Sequence, residues 1–195
     1  MGAGVTVEPV ADVERGQLRI AVIGLAGSGK STFAGVVAEL AHERGLRCAR
    51  LGLAAPLYAL QERVYEAART PLREGAQDQV LMETLARALR RISPTSLVDH
   101  FLDRLGAVEA DVVVNDDLRD PHVDAVRLAA QGFRVVRVRA TEPVRAARLS
   151  GRGDLTRSDR STDELDRIVP DAVIDNDGDL DAFRAAVRAL VGSWL

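Results

Sequence analysis

The chain has 195 residues, about the size of one domain, and 47% of them are hydrophobic while 28% are charged. This balance is typical of a globular protein and excludes a chain that stays disordered over its length. The net charge of −3 offers no basic excess for nucleic acid, and the single cysteine, Cys48, excludes an internal disulfide. Because no apolar run approaches the ~18 residues of a membrane span and no signal-peptide pattern is present, we expect a cytoplasmic protein that binds neither membranes nor nucleic acid.

The first half of the chain combines two short strands with helices. Residues 1–17 have no hydrophobic period and predict a flexible arm. The β-rich run 18–23 predicts a buried strand, apolar residues at helical spacing predict a helix over 29–44, and 47–53 predicts a second strand. Residues 56–105 are mostly helical in pattern, and three residues break that pattern: Pro71, Gly75 and Pro94.

The second half alternates strands with helices. Strands are predicted at 111–115, 133–140 and 172–176, and helices at 121–131, from 141 onward, and at 180–195. Residues 151–161 are rich in glycine, arginine and aspartate without a core period, which predicts a mobile loop. The alternation predicts a single α/β domain over 18–195, a three-layer fold with a five-stranded parallel sheet and helices on both faces.

The segment Gly24–Ser31, GLAGSGKS, matches the phosphate-loop pattern G-x-x-x-x-G-K-[ST] without a mismatch. Glycines let successive backbone N–H groups face phosphate oxygens, and the helix that follows adds its positive N-terminus. Lys30, the only lysine in the sequence, can reach the β- and γ-phosphates, and the Ser31 hydroxyl can ligate Mg²⁺. A glycine-rich turn with a chance lysine is the alternative, but a predicted strand before the motif and a predicted helix after it favour nucleotide binding. The predicted ATP-binding residues are Ala26, Gly27, Ser28, Gly29, Lys30, Ser31 and Thr32.

The segment Val112–Ala125, an apolar strand followed by NDDLRDP, is the most specific feature beyond the phosphate loop. It resembles the corresponding segment of the phage-type deoxynucleoside monophosphate kinases, which are related to dephospho-CoA kinase and phosphomevalonate kinase. This resemblance implies the P-loop NTPase fold, with Asp117 near Mg²⁺ and Arg119 as a catalytic residue that meets the acceptor's phosphate. Asp116 competes with Asp117 for the magnesium role, and the sequence leaves that choice open.

Two further segments are similar to the acceptor-binding part of the same family. Leu53–Tyr58 resembles its Phe-Ala-Asp-Pro-Leu-Lys, with Ala55 and Tyr58 in place of the aspartate and the lysine. The second segment ends in Arg-Arg-Ile-Ser-Pro, and its resemblance implies that Arg90 contacts the substrate phosphate. Tyr58 is a candidate to stack on an acceptor base, and 56–105 is expected to be the helical acceptor-binding region.

The resemblance also implies a lid over residues 145–165. Arg145, Arg148 and Arg152 follow one another at i, i+3 and i+7, so all three can share one helix face. A solvated helix face is the alternative for this run. Phosphoryl transfer favours cations that arrive with the substrate, so Arg148 and Arg152 are predicted catalytic residues of a mobile lid.

These features together predict a Mg²⁺-dependent transfer of the ATP γ-phosphate to a nucleoside or deoxynucleoside monophosphate. A phosphate acceptor is already ionised at pH 7 and needs no general base, which tolerates Ala55 at the family's aspartate position. Two alternatives remain open: a kinase that acts on another small phosphorylated or hydroxyl metabolite, and a nucleotide-binding switch module without kinase activity. The sequence also leaves the oligomeric state open, a homodimer included.

Overall fold

The sheet confirms the predicted architecture. A computed structural model of the chain describes residues 16–73, 75–150 and 164–195. Five parallel strands lie in the order β2-β3-β1-β4-β5. The strands are β1 (Leu18–Ile23), β2 (Cys48–Arg50), β3 (Val112–Asn115), β4 (Arg134–Arg139) and β5 (Ala172–Asp175). The central position of β1 brings the loop that follows it to the middle of the carboxyl edge, where open α/β sheets bind ligands.

Helices cover both faces of this sheet, as predicted. They are α1 (Lys30–Glu43), α2 (Ala55–Ala67), α3 (Gln79–Ile92), α4 (Ser96–Ala107), α5 (Asp124–Ala130), α6 (Glu142–Leu149) and α7 (Leu180–Gly192). A short 3₁₀ helix, Leu165–Arg167, precedes β5. No helix in the described ranges has the length and apolar character needed to cross a membrane.

Two hydrophobic clusters hold the layers together, one on each face of the sheet. Alternate residues of β1 supply both clusters: Ile20 and Val22 pack with α1 and α7, while Ala21 and Ile23 pack on the opposite face with α4 and α5. Both faces of a parallel strand are thus buried, which accounts for its continuous apolar run. The apolar stripe of α7 packs on this sheet together with α1.

The predicted helical region 56–105 contains α2, α3 and most of α4, which share a third, smaller apolar cluster. Its members are Leu57, Met82, Ala86 and Leu97. Asp78 begins α3 as its N-cap, because its side chain accepts a hydrogen bond from the Leu81 N–H at 3.1 Å. This region is attached to the domain core on one side and lines the ligand cavity on the other.

Several element boundaries differ from the predicted ones; helix α7, for example, ends at Gly192 instead of residue 195. Strand β2 ends at Arg50 instead of residue 53, because the backbone N–H groups of Leu53 and Ala54 turn away to the Asp117 carboxylate. Helix α5 begins at Asp124 instead of residue 121, and Asp120 Oδ1 accepts from the N–H groups of His122 and Val123 in the turn that precedes it.

Some predictions fall outside the described part of the chain. They are the arm over residues 1–15, Arg152 and the greater part of the expected lid, residues 151–163. Of the expected arm, Gln17 is described, and its side-chain amide donates to the Ala110 carbonyl at 2.8 Å.

Candidate functional site

The phosphate loop follows β1 and has a backbone that only glycine adopts readily. Gly24, Gly27 and Gly29 have φ values of 150°, 80° and 112°. A Cβ on Gly27 would lie 2.9 Å from the Arg145 carbonyl oxygen, and one on Gly29 would overlap the Asn176 amide. The loop therefore requires residues without side chains at these positions, and helix α1 begins directly after it. This arrangement fits a bound phosphate chain.

Lys30, the first residue of α1, lines the cavity in front of the loop. Its ammonium donates to the carbonyl oxygens of Gly24 at 2.7 Å and Leu25 at 3.2 Å. The four-carbon side chain therefore already points back along the loop, toward the groups that a nucleotide phosphate would contact. Thr32, predicted to bind ATP, is exposed and stands one residue beyond Ser31 in α1.

Ser31 and Asp116 meet at the mouth of the loop. Asp116 directly follows β3, its side chain is 8% exposed, and its Oδ2 accepts from Ser31 Oγ at 3.3 Å. Two oxygens bound side by side to an octahedral Mg²⁺ at about 2.1 Å lie about 3 Å apart, so this hydroxyl–carboxylate pair fits that cation. Among the described residues there is no cluster of three or more His, Cys, Asp or Glu side chains suited to a metal ion. A site that takes its remaining ligands from phosphate and water agrees with both observations.

Asp117 makes different contacts from those of Asp116. Its carboxylate accepts from the backbone N–H groups of Leu53 at 2.8 Å and Ala54 at 2.9 Å, and from the Asn115 side-chain amide at 2.6 Å. Gly52 allows this close approach, since a Cβ there would lie 2.9 Å from Asp117 Oδ2. Asp117 lines the cavity but holds the turn after β2, whereas Asp116 is the carboxylate beside Ser31.

The cavity has a volume of about 710 Å³ and extends from the phosphate loop to the helices of the region 56–105. The predicted substrate-binding residues Tyr58, Arg90 and Arg119 all line it, so the fold brings them together with Lys30. Arg119 is exposed at the end of β3. One cavity therefore contains residues of both the predicted donor end and the predicted acceptor end.

Arg90 is held in place by two acids. Its guanidinium donates to Asp124 Oδ2 at 2.6 Å and lies 3.7 Å from Asp120 Oδ2. Asp124 is 1% exposed, and burial raises the pKa of its carboxyl although the neighbouring Arg90 lowers it. Arg90 thus anchors α3 to the start of α5 at the cavity wall, a contact that the sequence did not indicate.

Tyr58 is half-buried on α2 and lies on the same wall. Its hydroxyl accepts a short hydrogen bond from the Gln77 amide. Burial, and then the nearby Asp117 carboxylate, raise the pKa of the phenol, so it stays protonated near neutral pH. The ring and the hydroxyl are therefore available as a neutral surface for a ligand.

The arginines of α6 contact the phosphate loop itself. Arg145 donates to the Ala26 carbonyl at 3.1 Å, and Arg148 contacts the Gly27 carbonyl at 3.4 Å and the Asn176 carbonyl at 3.0 Å. Neither arginine is among the residues that line the cavity. In this geometry Arg148 supports the loop from outside rather than facing the acceptor wall.

Three polar side chains at or beside the site are not among the residues that the sequence predicts. Arg50, at the end of β2, donates to Asp116 through both Nε and Nη2. Asn176, after β5, is buried and donates to the Ser28 carbonyl at 2.7 Å. Arg104 of α4 donates to the Gly52 carbonyl at the cavity wall. Arg50 and Asn176 lie at or just after the carboxyl ends of parallel strands, and the same kind of position had indicated Arg119. No local pattern indicates Arg104.

Comparison with known proteins agrees with this geometry. A family model described as an AAA domain matches residues 20–168, more than half of the chain. No curated protein matches this chain. Two shikimate kinases have similar structures. That from Acinetobacter baumannii, in complex with shikimate, has a TM-score of 0.53 and 15% identity over 92% of this chain and 96% of that chain. That from Bacteroides thetaiotaomicron has a TM-score of 0.53 and 14% identity over 91% and 98%.

At these identities the likeness shows a shared fold. The three-layer P-loop architecture predicted from the sequence is confirmed, and the two shikimate kinases share it. The resemblance to phage-type deoxynucleoside monophosphate kinases stays a prediction.

Proposed function

The chain belongs to the AAA domain family, and on that premise we propose that it is an ATP- and Mg²⁺-dependent phosphotransferase whose acceptor is a nucleoside monophosphate. The observation that carries the proposal is a cavity that joins the phosphate loop to a wall bearing Tyr58, Arg104 and Arg119. A nucleotide switch does not require a second substrate site. The polar side chains that line the same cavity beyond the loop therefore favour a second substrate.

The donor end binds ATP through the loop backbone and Lys30. Ser31 and Asp116 are the residues that would hold Mg²⁺, which when bound neutralises charge on the transferred phosphoryl group. Lys30 exchanges its carbonyl partners for phosphate oxygens, and its compact ammonium suits that crowded position. Arg145 and Arg148 keep the loop in its binding conformation through the carbonyl oxygens of Ala26 and Gly27.

The acceptor end supplies positive charge and a flat surface. Arg119, with support from Arg104 and the anchored Arg90, contacts the acceptor phosphate, and Tyr58 lies against its base. The γ-phosphate of ATP goes to an oxygen of that phosphate, which yields ADP and a nucleoside diphosphate. The acceptor oxygen is already ionised, so the reaction depends on positioning and charge neutralisation and requires no base.

One feature of the same wall favours a second candidate, a kinase that acts on a hydroxyl-bearing metabolite. Glu83 of α3 lines the cavity, and a carboxylate near the acceptor can take the proton of a hydroxyl nucleophile. The two candidates share the donor end and differ only in whether Glu83 takes part in chemistry.

Formation of ADP from ATP and Mg²⁺, measured with a panel of ribo- and deoxynucleoside monophosphates, tests the proposal. We expect at least one monophosphate to stimulate ADP formation, the Lys30→Ala variant to lose about 10²-fold or more of that rate, and Glu83→Gln to retain it. No stimulation by any monophosphate, together with turnover of a hydroxyl acceptor that Glu83→Gln abolishes, would replace the first candidate by the second.

A further inference from the structure

Arg50 lies between the two oxygens that fit a magnesium ion. Its Nε donates to Asp116 Oδ1 at 2.9 Å, its Nη2 makes a short bond to Asp116 Oδ2, and the same Nη2 lies 3.3 Å from Ser31 Oγ. The planar guanidinium thus binds the carboxylate with both arms of its fork and reaches the hydroxyl as well. The Arg50 guanidinium alone therefore contacts the Ser31 hydroxyl and both oxygens of the Asp116 carboxylate.

Charge and burial explain why Asp116 takes this partner. The Asp116 side chain is 8% exposed, and a buried carboxylate is strongly destabilised unless a cation or hydrogen-bond donors compensate its charge. Arg50 ends the neighbouring strand β2, where the parallel register pairs it with Val114 of β3, two residues before Asp116. Its own side chain is 56% exposed, so the guanidinium can leave the carboxylate for solvent at little cost in burial.

Magnesium requires the same oxygen atoms. A Mg²⁺ ion bound to Ser31 Oγ and Asp116 Oδ2 would stand where the Arg50 fork now donates, and two cations at that distance repel each other. Because Nη2 already donates to Asp116 Oδ2 and to Ser31 Oγ, the guanidinium and the ion compete for these two oxygens.

We propose that Arg50 is a positioning residue of the metal site, which orients Ser31 and Asp116, competes with Mg²⁺ for their oxygens, and swings away when the ion binds. The inference rests on the proposed function, because it takes Ser31 and Asp116 as the residues that hold the metal. Its consequence is that the magnesium requirement of nucleotide binding is set partly by an arginine that touches neither nucleotide nor metal in the loaded site.

Calorimetric titration of ADP into the full chain at a series of Mg²⁺ concentrations tests this competition. We expect the Mg²⁺ concentration at half-maximal tightening of ADP binding to fall about fivefold in Arg50→Ala, the equivalent of losing one partly exposed ion pair. Arg50→Lys, which keeps a charge but loses the bidentate fork, is expected to give a smaller fall.

Arg47→Ala is the matched control. Arg47 is also an exposed arginine at an end of β2, and it pairs with Glu109 and Asp111 away from the loop, so its removal is expected to leave the Mg²⁺ midpoint unchanged. A residue with a purely structural role would lower the stability of the chain without lowering that midpoint. An unchanged or raised midpoint in both Arg50 variants, with Mg²⁺-dependent ADP binding intact in the wild type, would overturn the proposal.

The proposed function and this inference fail in different ways. ADP binding measures metal competition without any phosphoryl transfer, whereas the acceptor panel measures transfer. A lowered midpoint in Arg50→Ala therefore supports the competition even where no monophosphate acts as acceptor.

Discussion

The adjacent aspartates after β3 make separate contacts because successive side chains of an extended segment point in opposite directions. Asp116 faces Ser31 and Arg50, whereas Asp117 faces the backbone of the turn after β2. On the proposed function, Asp116 belongs to the metal site and Asp117 to the wall of the cavity. Loss of each carboxylate is therefore expected to have a different effect.

Substitution of each aspartate separates these roles. We expect Asp116→Asn to raise the Mg²⁺ concentration required for ADP binding by about tenfold or more, because a neutral amide is a poorer magnesium ligand. Asp117→Ala is expected to lower the free energy of unfolding by about 1–3 kcal/mol, since the N–H groups of Leu53 and Ala54 lose their acceptor. Calorimetry and urea unfolding measure the two effects. The opposite pattern, with metal dependence lost only in Asp117→Ala, would return the magnesium role to Asp117.

At this scale the sequence predicted types of residue better than their partners. Lys30 and Ser31 both line the cavity, and the motif that singled them out lies within eight consecutive residues. Their contacts with ATP and Mg²⁺ stay predictions. The pairing of Arg50 with Asp116 spans 66 positions and depends on which strands are neighbours in the sheet. No local pattern carries that information, so the sequence left the magnesium role open between Asp116 and Asp117, and the proposal gives it to Asp116 because of its contact with Ser31.

At the scale of elements, two elements that pack against the phosphate loop hold it in place. Helix α6 contacts it through Arg145 and Arg148, and the turn after β5 contacts it through Asn176. Asn176 also accepts from Arg148, so both supports are linked to each other. The loop conformation is therefore a tertiary property as well as a property of its glycines.

Replacement of a loop glycine tests this close packing. We expect Gly29→Ala to weaken ADP binding by about tenfold or more and to destabilise the chain, because a Cβ at φ 112° is strained and overlaps the Asn176 amide. Gly35→Ala is the control, since Gly35 lies within α1 with open space around its Cβ position. Alanine there is expected to stabilise the chain by about 0.5–1 kcal/mol. Equal ADP affinities for Gly29→Ala and the wild type would contradict the account.

Elements were predictable in kind and order, but several of their ends were not. The periodic apolar residues of α1 and the valines of β3 indicate a helix and a strand because both patterns are local. Strand β2 ended early because Asp117, distant in sequence, binds the amides that would have extended it. Helix α5 begins only after a turn in which Asp120 binds two backbone N–H groups, a local signal that the proline next to it had obscured.

At the scale of the whole molecule, an ion pair between Arg90 and the buried Asp124 joins α3 to the start of α5 at the cavity wall. Burial raises the pKa of Asp124 above its usual 3.8, so folding favours the protonated carboxyl. A carboxyl of this kind stabilises the fold most below its unfolded pKa, and this contribution is lost as the pH rises through the folded pKa.

The pH dependence of the free energy of unfolding tests the direction of this effect. We expect the free energy of unfolding of the wild type, relative to Asp124→Asn, to decrease as the pH rises from 3.8 through the raised pKa of Asp124 and then to become constant. Each unit by which the pKa is raised corresponds to about 1.4 kcal/mol. Urea unfolding of both proteins over a pH series measures the difference. A difference that grows with pH would show that the attraction to Arg90 outweighs the cost of burial.

The central claim is that the γ-phosphate moves from ATP to a nucleoside monophosphate in this cavity. The most direct measurement follows a label in the γ-phosphate, with Mg²⁺ and a mixture of nucleoside monophosphates present, and identifies the product that carries it. The account predicts label in the β-position of a nucleoside diphosphate, and its loss in Lys30→Ala. Label released only as inorganic phosphate, or transferred only to the hydroxyl of a metabolite, would contradict it.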